Sequence, residues 1–260
     1  MRKVLATLAL LALTSAPVLA ADNPWVGTWK LDPSKSQFTG DTFTYSKTAK
    51  GMMHYSDGSA FAWDFGIDGK EYKTAEGRTT TWTIVSPTEW TSVSKLNGTV
   101  LSTNHYTLSP DGKTLSMTFT GTKPDGSKFN DSSTYTRVTG TNGLPGKWRS
   151  TKVTVSAPDS FIVSEKPNGI FHWDIPGFKE SVEGKMDGSD LPITGPTVAP
   201  GTMLSIKMTT PRKISYTVKE KGKIVALGNQ TLAADGKSFL DVSWSPGKQS
   251  EKTTGFYAKQ

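Results

Sequence analysis

Short runs in which hydrophobic and polar residues alternate make up most of the chain beyond its first twenty residues. The run Thr-Thr-Trp-Thr-Ile-Val at residues 80–85 is one example, and similar runs rich in Thr, Val, Tyr, Trp and Phe recur along the sequence. A period of two is typical of a β-strand with one buried face. No segment beyond the first twenty residues keeps the helical period over a helical length, so the pattern predicts an all-β fold.

Asp-Gly and Asn-Gly pairs separate the alternating runs. In the first half of the chain they stand at residues 57–58, 68–69, 97–98, 111–112 and 125–126. Such pairs accept the positive φ angles of tight hairpin turns, so each strand is expected to pair with its neighbour in sequence. This indicates an antiparallel up-and-down meander of eight to ten strands per half. Closing such a meander into a β-barrel removes its exposed edges, and we therefore expect barrels.

The second half of the chain repeats the first. Gly-Thr-Trp at residues 27–29 corresponds to Gly-Lys-Trp at residues 146–148, and Leu-Ser-Pro-Asp-Gly-Lys at 108–113 corresponds to Leu-Ala-Ala-Asp-Gly-Lys at 232–237. Matches of this kind keep the same order through both halves at a nearly constant offset. The sequence therefore predicts two tandem copies of one barrel.

The first twenty residues have the features of a signal peptide. Two basic residues precede an apolar stretch that is too short to cross a bilayer, and small residues precede a cleavage site after Ala20. We predict that residues 1–20 are removed on export, that residues 21–142 form the first barrel and that residues 143–260 form the second.

The absence of cysteine limits the cellular compartments in which the protein is expected. Without cysteine the chain has neither disulfides nor the acylation site of a bacterial lipoprotein. Small extracellular domains of higher organisms usually carry disulfides, so we expect a bacterial periplasmic or secreted protein.

Basic residues are concentrated in the second copy. The whole chain carries a formal charge of +7; residues 21–140 hold 12 basic and 12 acidic side chains, whereas residues 141–260 hold 16 and 11. A basic second barrel would attract an anionic envelope surface, and an ordinary solvated face is the alternative. We expect no nucleic-acid partner.

Gly-X-Trp at the start of each copy resembles the signature of lipocalin-like, calycin-type secreted bacterial proteins. The resemblance implies that Trp29 and Trp148 close the barrel base, each under a cation from the last strand of its own copy, Arg137 and Lys259 respectively. A cation over an indole ring contributes about 0.5–2 kcal/mol. The chain lacks the C-terminal helix and the disulfide of true lipocalins, so a ten-stranded barrel of the fatty-acid-binding or nitrobindin kind stays open.

Lumen-facing positions follow from a comparison of the copies, because alternate residues of a barrel strand face the lumen. On this basis Leu115, Met117 and Phe119 point inward, and Leu240, Val242 and Trp244 are their equivalents after one inserted residue. The candidate ligand-binding residues are Tyr55, Trp82, Trp90, Phe119, Trp173, Tyr216 and Trp244. These side chains either line a cavity for an apolar ligand or simply form the core.

Signatures of catalysis and metal binding are missing from the sequence. It has no Gly-x-Ser-x-Gly, no cysteine pair and no histidines at metal-ligand spacing. His54 and His172 lie between inward residues, so their rings are expected to face solvent or an interface between barrels. Asp174 and Asp241 receive no catalytic role. We predict no catalytic residue, no metal and no cofactor.

Three functions remain open at this point. The first is an exported protein that binds a small apolar or amphipathic ligand in a barrel lumen. The second is a calycin-type enzyme, an isomerase or hydratase acting on a lipid or isoprenoid, which would need a buried acid or base facing a cavity. The third is a non-catalytic interaction module of the envelope.

Overall fold

The fold was obtained as a computed structural model that describes residues 23–75 and 77–260. The predicted signal peptide, residues 1–20, lies outside this part of the chain. The described residues form two ten-stranded antiparallel sheets, each curved into a nearly closed barrel. This confirms the predicted all-β fold class, and ten strands per barrel lie within the predicted range of eight to ten. Two short 3-10 turns, Pro33–Lys35 and Pro167–Gly169, are the helical segments of the described chain.

Barrel 1 is built from ten strands that are consecutive in sequence. They are β2 (Thr42–Lys47), β3 (Met53–Ser56), β4 (Ala62–Phe65), β5 (Glu71–Ala75), β6 (Arg78–Ser86), β7 (Glu89–Leu96), β8 (Thr99–Leu108), β9 (Thr114–Thr122), β10 (Lys128–Thr139) and β11 (Gly146–Thr154). Strands β4 and β5 are the two edges of this sheet.

Barrel 2 contains the first strand of the chain and the last nine. They are β1 (Gly27–Leu31), β12 (Ser160–Lys166), β13 (Ile170–Ile175), β14 (Glu180–Gly184), β15 (Asp187–Pro192), β16 (Thr202–Thr210), β17 (Lys213–Glu220), β18 (Lys223–Leu232), β19 (Ser238–Trp244) and β20 (Thr253–Lys259). Its edges are β14 and β15, and they are joined near the rim where Ser181 and Thr194 exchange two backbone hydrogen bonds of 2.9 Å.

The first strands of the two copies are exchanged between the barrels. Strand β1 pairs with β12 and β20 of the second copy, whereas β11 pairs with β2 and β10 of the first. The predicted division into residues 21–142 and 143–260 therefore needs a correction at the first strand of each copy, since β1 belongs to barrel 2 and β11 to barrel 1. The loop of residues 140–145 is short enough to fold β11 back on β10, its neighbour in sequence, and the equivalent place in barrel 2 is then left for β1.

The chain crosses between the barrels at residues 32–41 and 155–159. The two crossings touch, because the backbone N–H of Leu31 donates to the carbonyl of Asp159 at 3.1 Å. Polar contacts also link the barrels: Lys123 Nζ of barrel 1 lies 2.6 Å from the Asp159 carboxylate, and Arg78 Nη1 of barrel 1 lies 2.9 Å from Glu220 Oε1 of barrel 2. Two covalent crossings and these contacts hold the barrels together.

The interiors of the two barrels differ in how they are filled. Barrel 1 is packed with aromatic rings, among them Trp82 stacked on Tyr106 with ring centroids 4.4 Å apart. In barrel 2 the position of Trp82 is taken by Ile206, since both pair with the equivalent residue of the next strand. Likewise Gly184 opposes Phe171 where Phe65 opposes Met53 in barrel 1. Smaller side chains therefore stand at these two positions of barrel 2.

Candidate ligand cavity

The base of each barrel is closed by a tryptophan under a cation, but the pairing follows the exchanged strands. Lys259 Nζ lies 5.1 Å from the ring centroid of Trp29, and the Arg137 guanidinium lies 4.1 Å from that of Trp148. The predicted pairs within each copy, Trp29 with Arg137 and Trp148 with Lys259, are thus wrong. The reason is the exchange: each last strand meets the first strand of the other copy.

Glycine precedes each of these tryptophans because the cation occupies the space of a side chain. A Cβ atom on Gly27 would lie 2.5 Å from Lys259 Cε, and one on Gly146 would lie 2.7 Å from Arg137 Nη1. Both glycines also have positive φ angles, of 141° and 147°. The Gly-X-Trp pattern therefore has a structural cause at the base of each barrel.

Barrel 2 encloses a cavity of about 220 Å³ above this base. Most of its wall is apolar, and it includes two of the predicted ligand-binding residues, Trp173 and Tyr216. The lining residues are Trp25, Trp29, Phe161, Val163, Trp173, Ile175, Glu180, Ser181, Val182, Ile193, Leu204, Ile206, Ile214, Tyr216, Val218, Gln230, Phe239 and Asp241. A concave apolar site with a few polar groups is the usual form of a small-molecule site.

Asp241 places a carboxylate in this apolar wall. It lies on β19 between Phe239, which is buried, and the end of the strand, and the Tyr216 hydroxyl on β17 donates to its Oδ1 at 2.9 Å. Burial raises the pKa of the Asp241 carboxyl above its ordinary value, against the opposing effect of hydrogen bonds from Tyr216 and Gln230. Asp241 therefore gives the interior of the cavity a group with acid–base character.

Tyr216 reaches Asp241 because the strand beside it carries a glycine. A Cβ atom on Gly228 of β18 would lie 2.2 Å from Tyr216 Cζ, so a larger residue there would displace the ring. Burial, followed by the neighbouring carboxylate, raises the pKa of the Tyr216 phenol, which stays protonated and acts as a donor. Gly228 thus fixes the donor that orients Asp241.

The predicted inward set on β19 is wrong. Leu240 is 43% exposed, whereas Phe239 is 3% exposed and Asp241 lines the cavity, so Leu240, Val242 and Trp244 face outward. Trp244 packs on the outer face under Lys252, whose Nζ lies 5.2 Å from the ring centroid. The assumed one-residue insertion shifted the strand register by one, and a shift of one residue reverses every side chain.

Aligning the two copies at a constant offset through β19 places Asp241 on the inner face. Pro87 matches Pro211 and Asp111 matches Asp235 at the same offset of 124 residues, and the same offset places Met117 on Asp241. The inward assignment of Leu115, Met117 and Phe119 in barrel 1 is confirmed by their burial or by their place in the cavity wall.

A second carboxylate, Glu180, stands at the mouth of the barrel 2 cavity. It lines both this cavity and the cleft between the barrels, and the Thr197 hydroxyl donates to its Oε1 at 2.5 Å. Burial, followed by the nearby Asp159 charge, raises the pKa of the Glu180 carboxyl, while Thr197 and Arg78 oppose that rise. The entrance and the interior of the cavity therefore both carry acidic groups.

Barrel 1 has a cavity of about 350 Å³ that is more polar. Three of the predicted ligand-binding residues, Tyr55, Trp82 and Phe119, line it, whereas Trp90 lies in the core cluster and not in the wall. Asn104 is 4% exposed, and its Nδ2 donates to Ser92 Oγ at 3.0 Å.

Two buried atoms of this wall, Asn104 Oδ1 and Trp63 Nε1, have no hydrogen-bond partner among the described residues. A cavity that presents a free donor and a free acceptor suits ordered water.

A cleft of about 880 Å³ lies between the barrels and adjoins both cavities. Phe161 and Ile175 line the cleft and the barrel 2 cavity, while Leu101 and Phe119 line the cleft and the barrel 1 cavity. Both cavities therefore share part of their walls with the same cleft.

The histidines stand on the outer faces, as their alternation predicts. His54 Nδ1 lies 2.6 Å from Asp64 Oδ1, and His172 contacts Asp174 at 3.1 Å and Glu183 at 3.2 Å. Among residues 23–75 and 77–260 no group of three or more His, Cys, Asp or Glu side chains is arranged to hold a metal ion.

Comparisons with protein-family models, with curated proteins and with solved structures found no match to this chain. In the described part of the chain, no helix has both the length and the apolar composition needed to cross a membrane.

Proposed function

We propose that this is an exported binding protein that takes a small apolar or amphipathic molecule into the lumen of barrel 2. The observation that carries the proposal is the cavity of about 220 Å³ with a largely apolar wall, in a barrel that has Ile206 and Gly184 where barrel 1 has Trp82 and Phe65. In another protein, a dry cavity of about 150 Å³ lined by Leu, Ile and Phe binds benzene. The barrel 2 cavity has room for one aromatic ring with a short chain.

Titration with ethylbenzene tests this proposal, because the molecule is apolar and small enough for the cavity. The indole N–H signals of Trp25, Trp29 and Trp173 in barrel 2 should shift in an NMR spectrum, whereas those of Trp82 and Trp90 in barrel 1 should not.

Ile206→Trp gives the matched control, since it copies Trp82 of barrel 1 into the wall of the barrel 2 cavity. It should abolish the shifts while the remaining spectrum shows a folded protein. Val182→Phe fills the same cavity from another strand if the first variant does not fold. Unchanged indole signals in the wild-type protein would overturn the proposal.

An enzyme is the second candidate, because Asp241 supplies the buried carboxylate that an isomerase or hydratase would need. A carboxylate whose pKa is raised by burial can remove a proton from carbon and return it. Incubation with cyclohexenone in deuterated water tests this: Asp241 would take a proton from the α′ carbon and return a deuteron, and NMR would detect the exchange. Exchange no faster than in buffer, or equally fast in Asp241→Asn, would exclude this activity.

A further inference from the structure

The interior of the barrel 2 cavity carries an acidic polar group. Asp241 and Tyr216 stand together in a wall that is otherwise largely apolar, with Gln230 beside them and Glu180 at the mouth. No ion pair of Asp241 with a lysine, arginine or histidine occurs among residues 23–75 and 77–260. A partly buried carboxylate without a cation is costly to the fold.

The same position in barrel 1 shows that the fold does not require a carboxylate there. Met117 is the equivalent residue, and it is buried in the core of barrel 1. An apolar side chain therefore fits this site in the same architecture. The interior of a small barrel is normally filled with apolar side chains, so the acid in barrel 2 is an exception to this pattern. Such exceptions concentrate at functional sites.

We infer that barrel 2 selects small apolar molecules that carry a protonated amine, which Asp241 binds while the apolar part fills the cavity. The inference rests on the proposed function and names its ligand class. Tyr216 and Gln230 both donate to the carboxylate, which has about four acceptor sites and therefore keeps acceptor capacity for a ligand. An ammonium donor would form a charge-assisted hydrogen bond there and supply the missing counter-charge.

The acidic wall also decides against a fatty acid as the ligand of barrel 2. A carboxylate head would lie near Asp241 inside or near Glu180 at the entrance, and like charges at short range are unfavourable in a site with little water. The wall of the cleft outside the cavity carries charges of both signs, since Lys123 there is already paired with Asp159 at 2.6 Å. The charge preference therefore comes from the cavity itself.

Three probes with one ring and different heads test the inference: 2-phenylethylamine, 2-phenylethanol and phenylacetate, titrated into the whole protein at pH 7. A charge-assisted hydrogen bond contributes about 1.5–3 kcal/mol, so the amine should bind roughly ten- to a hundredfold more tightly than the alcohol. Phenylacetate should bind most weakly. The same indole signals of Trp25, Trp29 and Trp173 should report all three complexes.

Two substitutions at Asp241 separate charge from shape. Asp241→Asn keeps the size and should lower amine affinity about tenfold or more while alcohol affinity stays within roughly threefold. Asp241→Met, which copies Met117, should remove the preference for the amine. Asp174→Asn is the matched control, since Asp174 lies on the outer face against His172, and it should leave the ranking unchanged.

The outcomes distinguish the two proposals. If ethylbenzene and the alcohol bind but the amine is no tighter than the alcohol, the ligand class is wrong and the binding function stands. The same conclusion follows if Asp241→Asn keeps the full preference for the amine. If none of these molecules shifts the barrel 2 signals, both proposals fail.

Discussion

At the scale of single residues, the two copies show what a duplication can change without changing the fold. Ser92 and Tyr106 of barrel 1 lie 3.1 Å apart through their hydroxyl oxygens, and the equivalent pair in barrel 2 is Tyr216 and Gln230. The phenol has moved to the neighbouring strand, where Gly228 makes room for it. That change brings a donor to Asp241 and gives barrel 2 a polar group that barrel 1 does not have at this position.

The raised pKa of Asp241 predicts how the stability of the protein changes with pH. The pKa of this carboxyl is about 3.9 in the unfolded chain and higher in the folded protein. The contribution of the carboxyl to the free energy of unfolding is therefore fully present below the unfolded pKa and is lost as pH rises through the folded pKa. Asparagine does not titrate. The free energy of unfolding of Asp241→Asn relative to wild type should therefore increase as pH rises above about 4.

Urea unfolding at several pH values from 4 to 8 measures this difference. At the upper end we expect Asp241→Asn to be more stable than wild type, by an amount on the order of 1–3 kcal/mol, the usual cost of a buried polar group with incomplete partners. Glu180 also has a raised pKa, but it is present in both proteins and cancels in the comparison. A difference that does not depend on pH, or that falls as pH rises, would contradict the burial of this carboxyl.

At the scale of strands, alternation and turn pairs predict the fold class and a range of eight to ten strands per barrel, of which the structure has ten. They failed on β19 because its outer face carries Leu240, Val242 and Trp244, which look as apolar as an inner face. When both faces of a strand carry apolar residues, alternation does not show which face is buried, and an acid on the inner face makes that face look like the exposed one. The alternation therefore predicts the wrong register for this strand and does not identify Asp241 as a residue of the cavity wall.

The exchange of β1 and β11 was beyond the reach of sequence reasoning for a different reason. Both strands contain Gly-X-Trp, and each sets its tryptophan opposite a phenylalanine on one side and a cation on the other. Trp29 faces Phe161 and Lys259, while Trp148 faces Phe43 and Arg137. Because the two sets are equivalent, composition cannot tell which strand belongs to which barrel, and only the connecting loops decide.

At the scale of the whole molecule, the exchange of first strands means that only one of the two barrels is built from a single continuous segment of the chain. Barrel 1 is continuous from residue 42 to residue 154, whereas barrel 2 needs a strand that lies more than a hundred residues before the rest of it. The N-terminal strand brings Trp25 and Trp29 to barrel 2, and these two side chains are 2% and 0% exposed. Barrel 2 therefore depends on a distant segment that barrel 1 does not need.

Removal of residues 1–31 tests this arrangement. The truncated protein loses β1, and the loss of a buried tryptophan alone costs about 3–5 kcal/mol, so barrel 2 should open while barrel 1 stays folded. Hydrogen exchange followed by mass spectrometry should show protection lost in β12 and β20, the partners of β1, and kept in β2 and β10, the partners of β11. A truncation that removes residues 1–22 only is the control and should keep protection in all four strands. Loss of protection in β2 and β10 instead would mean that each copy closes with its own first strand, and it would overturn the exchange.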